Sequence, residues 1–357
     1  MIGIFLVKLL YILFSEYSEE LWSPPSRFLQ PRSQLSQMIS TKVTEPNNTS
    51  DQEDSKPRCA TDFFKDILLI VGFGYATEYE SIPLFELLYK GAFRHRAYCG
   101  NIPLSNESDI TINVVNTRYG AFLFECLSET IKTNRNYSGY LFVGEDVLLN
   151  YWNLLEFDRN HIWESESVIR GPLLYEQSSE TWEWWQSPWG VRAMEKVYEY
   201  FIELNYFDNR KSKLTQGDWT PDWDASQALN TWLWNGEGDF ACYFTEQSVV
   251  YLPHSEADLF VNISKHFRAS GVRHDTALPT IIRLMRLDDH IEILTTERIN
   301  DSNSKQYLTD RSKLVEATKI HHTVHIGGSR KERRRILNDL RMKEYAVGKF
   351  LEYEHCR

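Results

Sequence analysis

The sequence predicts an α/β fold, a mostly parallel β-sheet flanked by helices, with an aromatic-rich C-terminal half. Three observations carry that expectation. Residues 67–74, Ile-Leu-Leu-Ile-Val-Gly-Phe-Gly, are a continuous aliphatic run bounded by glycine, the pattern of a strand buried on both faces. Such runs alternate with segments of helical period, as expected for a parallel sheet covered by helices. The chain also holds 11 Trp, 19 Tyr and 19 Phe, enough for a large core and for flat surfaces offered to rings.

Taken in order, residues 1–22 open on an apolar stretch with Lys8 in its middle. It is shorter than the roughly 20 residues of a spanning helix and lacks the basic leader of a standard signal peptide; its apolar run still gives the expectation of a cleaved signal or a weak membrane anchor. Residues 23–57 are rich in Ser, Pro, Asn, Gln and charge and cannot bury enough apolar area to order themselves, which predicts a stem or linker. Residues 58–357 are expected to form the folded domain, with halves at 58–155 and 156–357. In the first half the strand run at 67–74 is followed by a helix over 81–93, with Ile82, Phe85 and Leu88 at helical spacing and Pro83 in the tolerated first turn. Strands follow at 95–99 and 110–115. A helix over 121–132 then places Phe122, Cys126, Leu127 and Ile131 on one stripe.

The segment Gly139-Tyr140-Leu141-Phe142-Val143-Gly144-Glu145-Asp146 closes that series: a buried strand ending in two adjacent carboxylates. Acids at the carboxyl end of a central strand stand where open α/β sheets place their ligands. Such oxygens can hold a hard divalent cation, which in turn clamps a diphosphate. Acids are also favoured at helix N-termini, so Glu145 and Asp146 have a purely structural reading as well. Gly72 and Gly74 are candidates for close approach of a nucleotide, although Gly72-Phe73-Gly74 lacks the third glycine of a dinucleotide fingerprint.

Composition narrows the classes. With Asp+Glu 50 against Lys+Arg 39, the net charge of -11 speaks against nucleic acid as a partner. The five cysteines, at 59, 99, 126, 242 and 356, show no metal-ligand spacing. An oxidising lumen permits one or two bridges among them; Cys126, on an apolar stripe, reads as core. Sequons at Asn47, Asn48 (overlapping), Asn106, Asn136, Asn262 and Asn300 point to surface loops in a secreted or luminal chain.

The stretch from Gly139 to Leu154, with its acid pair, Asn150 and Tyr151-Trp152-Asn153-Leu154, resembles the signature of the STELLO family of Golgi glycosyltransferases. Two further segments agree. One is the aromatic block Thr181-Trp182-Glu183-Trp184-Trp185-Gln186-Ser187-Pro188-Trp189-Gly190. The other runs from Tyr251-Leu252-Pro253 through Asp258-Leu259-Phe260 and Phe267 to His274-Asp275-Thr276-Ala277-Leu278-Pro279-Thr280. The resemblance covers about residues 60 to 300. It implies a GT-A-like fold, a nucleotide-sugar donor with Mn²⁺ or Mg²⁺, a glycan or glycoconjugate acceptor, other glycan-synthesising enzymes as partners, and a Golgi membrane address with a luminal domain, the alternative being secretion. The chain departs from the acid-any-acid triplet of GT-A enzymes: position 144 is Gly, so only Glu145 and Asp146 can serve.

The C-terminal half is then expected to hold the acceptor and a base that takes the proton of the attacking hydroxyl. Asp275 is the first candidate for that base, with an N-cap as its structural alternative. His254 and His274 are candidate third metal ligands. Trp184, Trp185 and Asp222 are candidate acceptor contacts, the last within the acidic aromatic loop Gly217-Asp218-Trp219-Thr220-Pro221-Asp222-Trp223-Asp224. In His321-His322-Thr323-Val324-His325, alternation puts His321, Thr323 and His325 on one face of a short strand, read as a solvated strand end with metal chelation as the alternative. The run from Arg330 to Leu337 reads as a solvated helical face. Two classes of function stay open: a metal-assisted glycosyltransferase, and a non-catalytic glycan-binding or enzyme-scaffolding protein on the same fold.

Overall fold

The computed structural model describes residues 59–104, 110–173, 184–211, 225–246, 248–299, 321–326 and 331. The chain divides into units Met1–Ser55 and Lys56–Arg357, and every described residue belongs to the second. The segments at 1–22 and 23–57, Trp182, the loop carrying Asp222, and the basic run apart from Lys331 lie outside the described residues.

The described fold is a mixed α/β layer structure. After α1 (Ala60–Phe63), the aliphatic run at 67–72 forms β1 (Ile67–Gly72), buried along its whole length. A 3-10 turn at Ala76–Ser81 leads into α2 (Ile82–Tyr89), with Pro83 in its first turn, where a missing N–H costs nothing. Strands β2 (His95–Gly100) and β3 (Ile112–Val114), helix α3 (Phe124–Thr133) and strand β4 (Gly139–Gly144) complete the first half close to the expected places. The short β5 (Val147–Leu149) follows the acid pair at once.

The second half supplies β6 (Ile162–Ser165), β7 (Ile169–Leu173), α4 (Val191–Lys211), α5 (Ala225–Asn235), β8 (Ala241–Phe244) and β9 (Val249–Pro253). Helices α6 (His254–Ser270) and α7 (His274–Met285) come next. Strands β10 (Ile291–Leu294), β11 (Thr296–Ile299) and β12 (Thr323–Ile326) close the described chain.

Seven strands form the main sheet in the order β10-β6-β9-β4-β1-β2-β3. Pairs β3–β2, β2–β1, β1–β4 and β6–β10 are parallel, whereas β9 runs antiparallel to both β4 and β6. Two small sheets, β11-β12-β5 and β7-β8, complete the set. Alternation along the strands divides the core. Leu68, Ile70, Tyr140, Phe142, Val250 and Leu252 face helices α3, α4, α6 and α7. Ile67, Leu69, Val71, Leu141, Val143, Val249 and Tyr251 face α2 and the β11-β12-β5 sheet. Burial on both faces is why these strands read as unbroken apolar runs.

Cys126 is in the core, as its stripe predicted, but as a half-cystine: a Cys99–Cys126 disulfide ties β2 to α3 across a sequence separation of 27. Closing a loop of that length contributes about 3.5 kcal/mol in the chain-entropy picture. Cys59 is also disulfide-bonded, and Cys242 is a buried free thiol. Among the described residues no helix is long and apolar enough to cross a membrane. Asn136 is exposed and Asn262 half-buried; the other sequon asparagines lie outside the described residues.

Candidate functional site

The chain runs β1, β2, β3 outward in one direction and then returns to lay β4 on the other side of β1. The strand order therefore reverses between β1 and β4, and the carboxyl ends of strands at such a switch point are where open α/β sheets bind ligands. Gly72 ends β1 and Gly74 lies just beyond it, while Glu145 and Asp146 follow β4. The sequence-predicted glycines and acids are thus brought together.

Each has a distinct role. The Glu145 N–H donates to the Gly72 carbonyl (3.0 Å), and its Oε2 accepts the Gly74 N–H (3.2 Å), so Glu145 ties the two strand ends together. The smallness of Gly72 is a packing requirement: a Cβ there would stand 2.7 Å from the Phe142 ring. At Gly74 a Cβ would meet the Gly120 Cα at 3.1 Å and Glu145 Oε1 at 3.3 Å, so two loops meet there backbone to backbone.

Asp146 is held from the far end of the sequence. Its carbonyl accepts the Ile326 N–H (2.7 Å), and its Oδ2 lies 3.2 Å from His325 Nε2. Pairing of β12 with β5, His325 opposite Val147, sets this contact. The His cluster is therefore not a solvated strand end. β12 is buried, and only His325 reaches the acid pair. His321 pairs with Glu297 (3.2 Å), and His322 Nδ1 receives the Thr295 N–H (2.9 Å). His325 Nδ1 is buried without a hydrogen-bond partner among the described residues.

Gly144 explains the departure from the acid-any-acid pattern. A Cβ at 144 would lie 2.7 Å from Ser248 Cβ and 3.0 Å from Asp146 Oδ1, because the Gly144 N–H donates to the Ser248 carbonyl at 2.7 Å. Restoring an acid by Gly144→Asp is expected to destabilise the fold by roughly 1–3 kcal/mol, the usual effect of overpacking, with partial relief from Ser248→Gly. Equal denaturation midpoints for Gly144→Asp and the parent would contradict this.

His274 lies on the same edge. Its Nε2 is 2.8 Å from Ser248 Oγ, its N–H donates to the Ala121 carbonyl (2.7 Å), and its ring packs against Phe124 and Phe142. Burial first, with Arg273 adding and Asp146 opposing, pushes its pKa down to about 4, so the ring is neutral. The folded value lies below the roughly 6.5 of an unfolded chain, so between the two the unfolded state binds more protons and stability rises with pH. This contribution is complete above about pH 6.5 and is lost as pH falls towards 4. The parent is expected to lose about 3 kcal/mol more than His274→Gln across that window. Parallel plots of stability against pH for the two proteins would refute the assignment.

Asp275 occupies the first turn of α7 beside His274; the N-cap position is Arg273, without a side-chain cap bond, so Asp275 is not the N-cap. Its Oδ2 lies 3.3 Å from Arg273 Nε, and its carbonyl accepts the Thr245 N–H (2.9 Å). The Arg273 guanidinium covers the Trp184 ring at 4.4 Å, and Trp184 lies 6.2 Å from Trp189. A half-buried Trp184 and an exposed Trp189 thus sit beside Asp275.

Two predicted residues stand elsewhere. His254 follows β9, whose antiparallel register pairs Pro253 with Gly139. That puts His254 at the opposite end of β4, roughly 17 Å or more from Asp146 at about 3.3 Å per residue, where its N–H donates to Ser138. Trp185 is 1 % exposed and packed in the core, so it offers no surface to an acceptor. Asp222 lies outside the described residues.

Among the described residues no group of three or more His, Cys, Asp and Glu is placed to hold a metal. Asp146 and His325 nonetheless suit a shared ion. A carboxylate and an imidazole 3.2 Å apart are ligands for Mn²⁺-type cations. Hard cations that bridge phosphates take one or two protein ligands and complete their shell with substrate and water.

No protein-family model and no curated protein matches the chain. Among solved structures it is similar to a glycosyltransferase involved in glycosylation of the major capsid of PBCV-1, at 10% identity and a TM-score of 0.37, covering 78% of this chain and 99% of that one. The galactosyltransferase LgtC, in complex with donor and acceptor sugar analogues, is similar at 9% identity and a TM-score of 0.35, covering 79% and 99%. The bifunctional glycosyltransferase WbbM is similar at 9% and 0.35, covering 80% and 51%.

Proposed function

We propose that this protein transfers a sugar from a nucleotide-sugar donor to a glycan or glycoconjugate acceptor, with Mn²⁺ or Mg²⁺ as cofactor. The observation that supports this reading is the place of Asp146: at the carboxyl end of β4, at the switch point, within reach of the buried His325. Asp146 and His325 would hold the cation, which when bound supplies charge neutralisation for the departing diphosphate. Glu145 keeps the two strand ends together and would add a second carboxylate to the site. Tyr75 and Tyr119, ring centroids 5.7 Å apart beside Gly74, offer an aromatic surface to the nucleotide base. Asp275, oriented by Arg273 next to Trp184, is the proposed base toward the acceptor hydroxyl.

The Golgi lumen is the proposed location, on the STELLO resemblance and the sequons. The absence of an acid at Gly144 favours the second reading, a glycan-binding protein without catalysis. Calorimetric titration with a panel of nucleoside diphosphates, with and without Mn²⁺, separates the two. Metal-dependent binding of one nucleotide supports the transferase; a folded sample that binds none supports the second reading.

A further inference from the structure

Beside the switch point, Phe122 carries two arginines. The Arg268 guanidinium stands 3.9 Å from the ring centroid and that of Arg118 stands 5.4 Å from the same centroid. Neither makes an ion pair among the described residues. In a chain of net charge -11, two like charges on one ring are not a general property of the surface.

The backbone is strained to bring them there. Arg118 (φ 44), Tyr119 (φ 58) and Gly120 (φ 87) are consecutive left-handed residues, the first two without the freedom of glycine. The loop is held by Phe122 N–H donating to the Thr117 carbonyl (2.9 Å) and Arg118 N–H to Asn116 Oδ1 (3.3 Å). Strain retained in this way is characteristic of ligand clamps. On the other side, α6 ends at Gly271 (φ 83), whose N–H caps the Arg268 and Phe267 carbonyls. That turn carries Arg268 at one end and Arg273, over Trp184, at the other. The acid acting on Arg268 is Glu125, whose carboxyl burial pushes up to about 7, against the pull of Arg268 itself.

We infer that Arg118 and Arg268 form an anion-binding rim for the acceptor, which therefore carries a carboxylate, sulfate or phosphate on its sugar; this rests on the transferase reading above. Guanidinium groups are the side chains suited to paired hydrogen bonds with such oxyanions. The rim adjoins the donor edge through Gly120, which packs on Gly74, and through Ala121, whose carbonyl holds His274.

The test is calorimetric titration of the full chain with glucuronic acid, glucose 6-sulfate and glucose 6-phosphate against glucose. At least one acidic sugar is expected to bind about tenfold tighter than glucose, and Arg118→Gln and Arg268→Gln are each expected to abolish that preference. Arg118 is exposed, so its variant does not put folding at risk. No preference in the parent, or a preference that survives both variants, overturns the inference. So does loss of nucleoside diphosphate binding in the variants with the sugar preference intact, which would assign the rim to the donor. A parent that prefers acidic sugars through this rim but binds no nucleoside diphosphate keeps the anion site and refutes the transferase reading.

Discussion

Asp146→Asn is expected to weaken Mn²⁺-dependent nucleoside diphosphate binding by about 100-fold or more while leaving the protein folded. Changing a partner that merely orients a metal ligand weakens binding by about 10–100-fold, and removing the ligand's own charge does at least as much. Asparagine keeps the shape and the 2.7 Å bond from Ile326 N–H to the Asp146 carbonyl, so β12 stays docked on β5. His325→Gln is expected to weaken binding less, since it leaves the carboxylate. Calorimetry with and without Mn²⁺ reads both variants. Unchanged metal-dependent affinity in Asp146→Asn would remove the acid pair from the donor site.

Arg283→Met is expected to destabilise the fold by about 3–5 kcal/mol. Glu164 on β6 and Arg283 on α7 form a buried ion pair, their side chains 3 % and 7 % exposed. Arg283 also donates to the Pro279 carbonyl (3.2 Å), reaches Asp288 at 3.1 Å and lies over the Tyr243 ring. Methionine fills most of the volume but leaves a carboxylate in the interior with no counter-charge. The double variant Glu164→Leu with Arg283→Met is expected to recover most of the loss, because an apolar pair of similar volume avoids the desolvation that burdens the charged one. Chemical denaturation of the four proteins in the cycle measures this. A small effect of Arg283→Met alone would mean that water reaches Glu164.

The first half of the domain was legible because its signals are local. The aliphatic run of β1, the stripe that put Cys126 inside, and the strand ending at Glu145 and Asp146 all follow from side-chain period. The second half depends on direction and distance, which period does not carry. Nothing in Val249-Val250-Tyr251-Leu252-Pro253 distinguishes an antiparallel strand from a parallel one. That direction sends His254 to the wrong end of β4. His325 lies 179 residues from Asp146 and meets it through a strand pair that only the folded chain reveals. Its alternation with Thr323 was the available signal. Adjacent tryptophans look alike in sequence, yet Trp185 is buried and Trp184 carries Arg273 on its face. The rim at Phe122 depends on left-handed backbone at Arg118 and Tyr119, a conformation neither residue type announces.

The most direct measurement is an anomalous-scattering map from crystals grown with Mn²⁺ and the nucleoside diphosphate that binds most tightly. The account predicts one manganese within about 2.5 Å of an Asp146 carboxylate oxygen, bridged to the diphosphate at the carboxyl ends of β1 and β4. A nucleotide bound elsewhere, or bound at this edge with no manganese at Asp146, would contradict it.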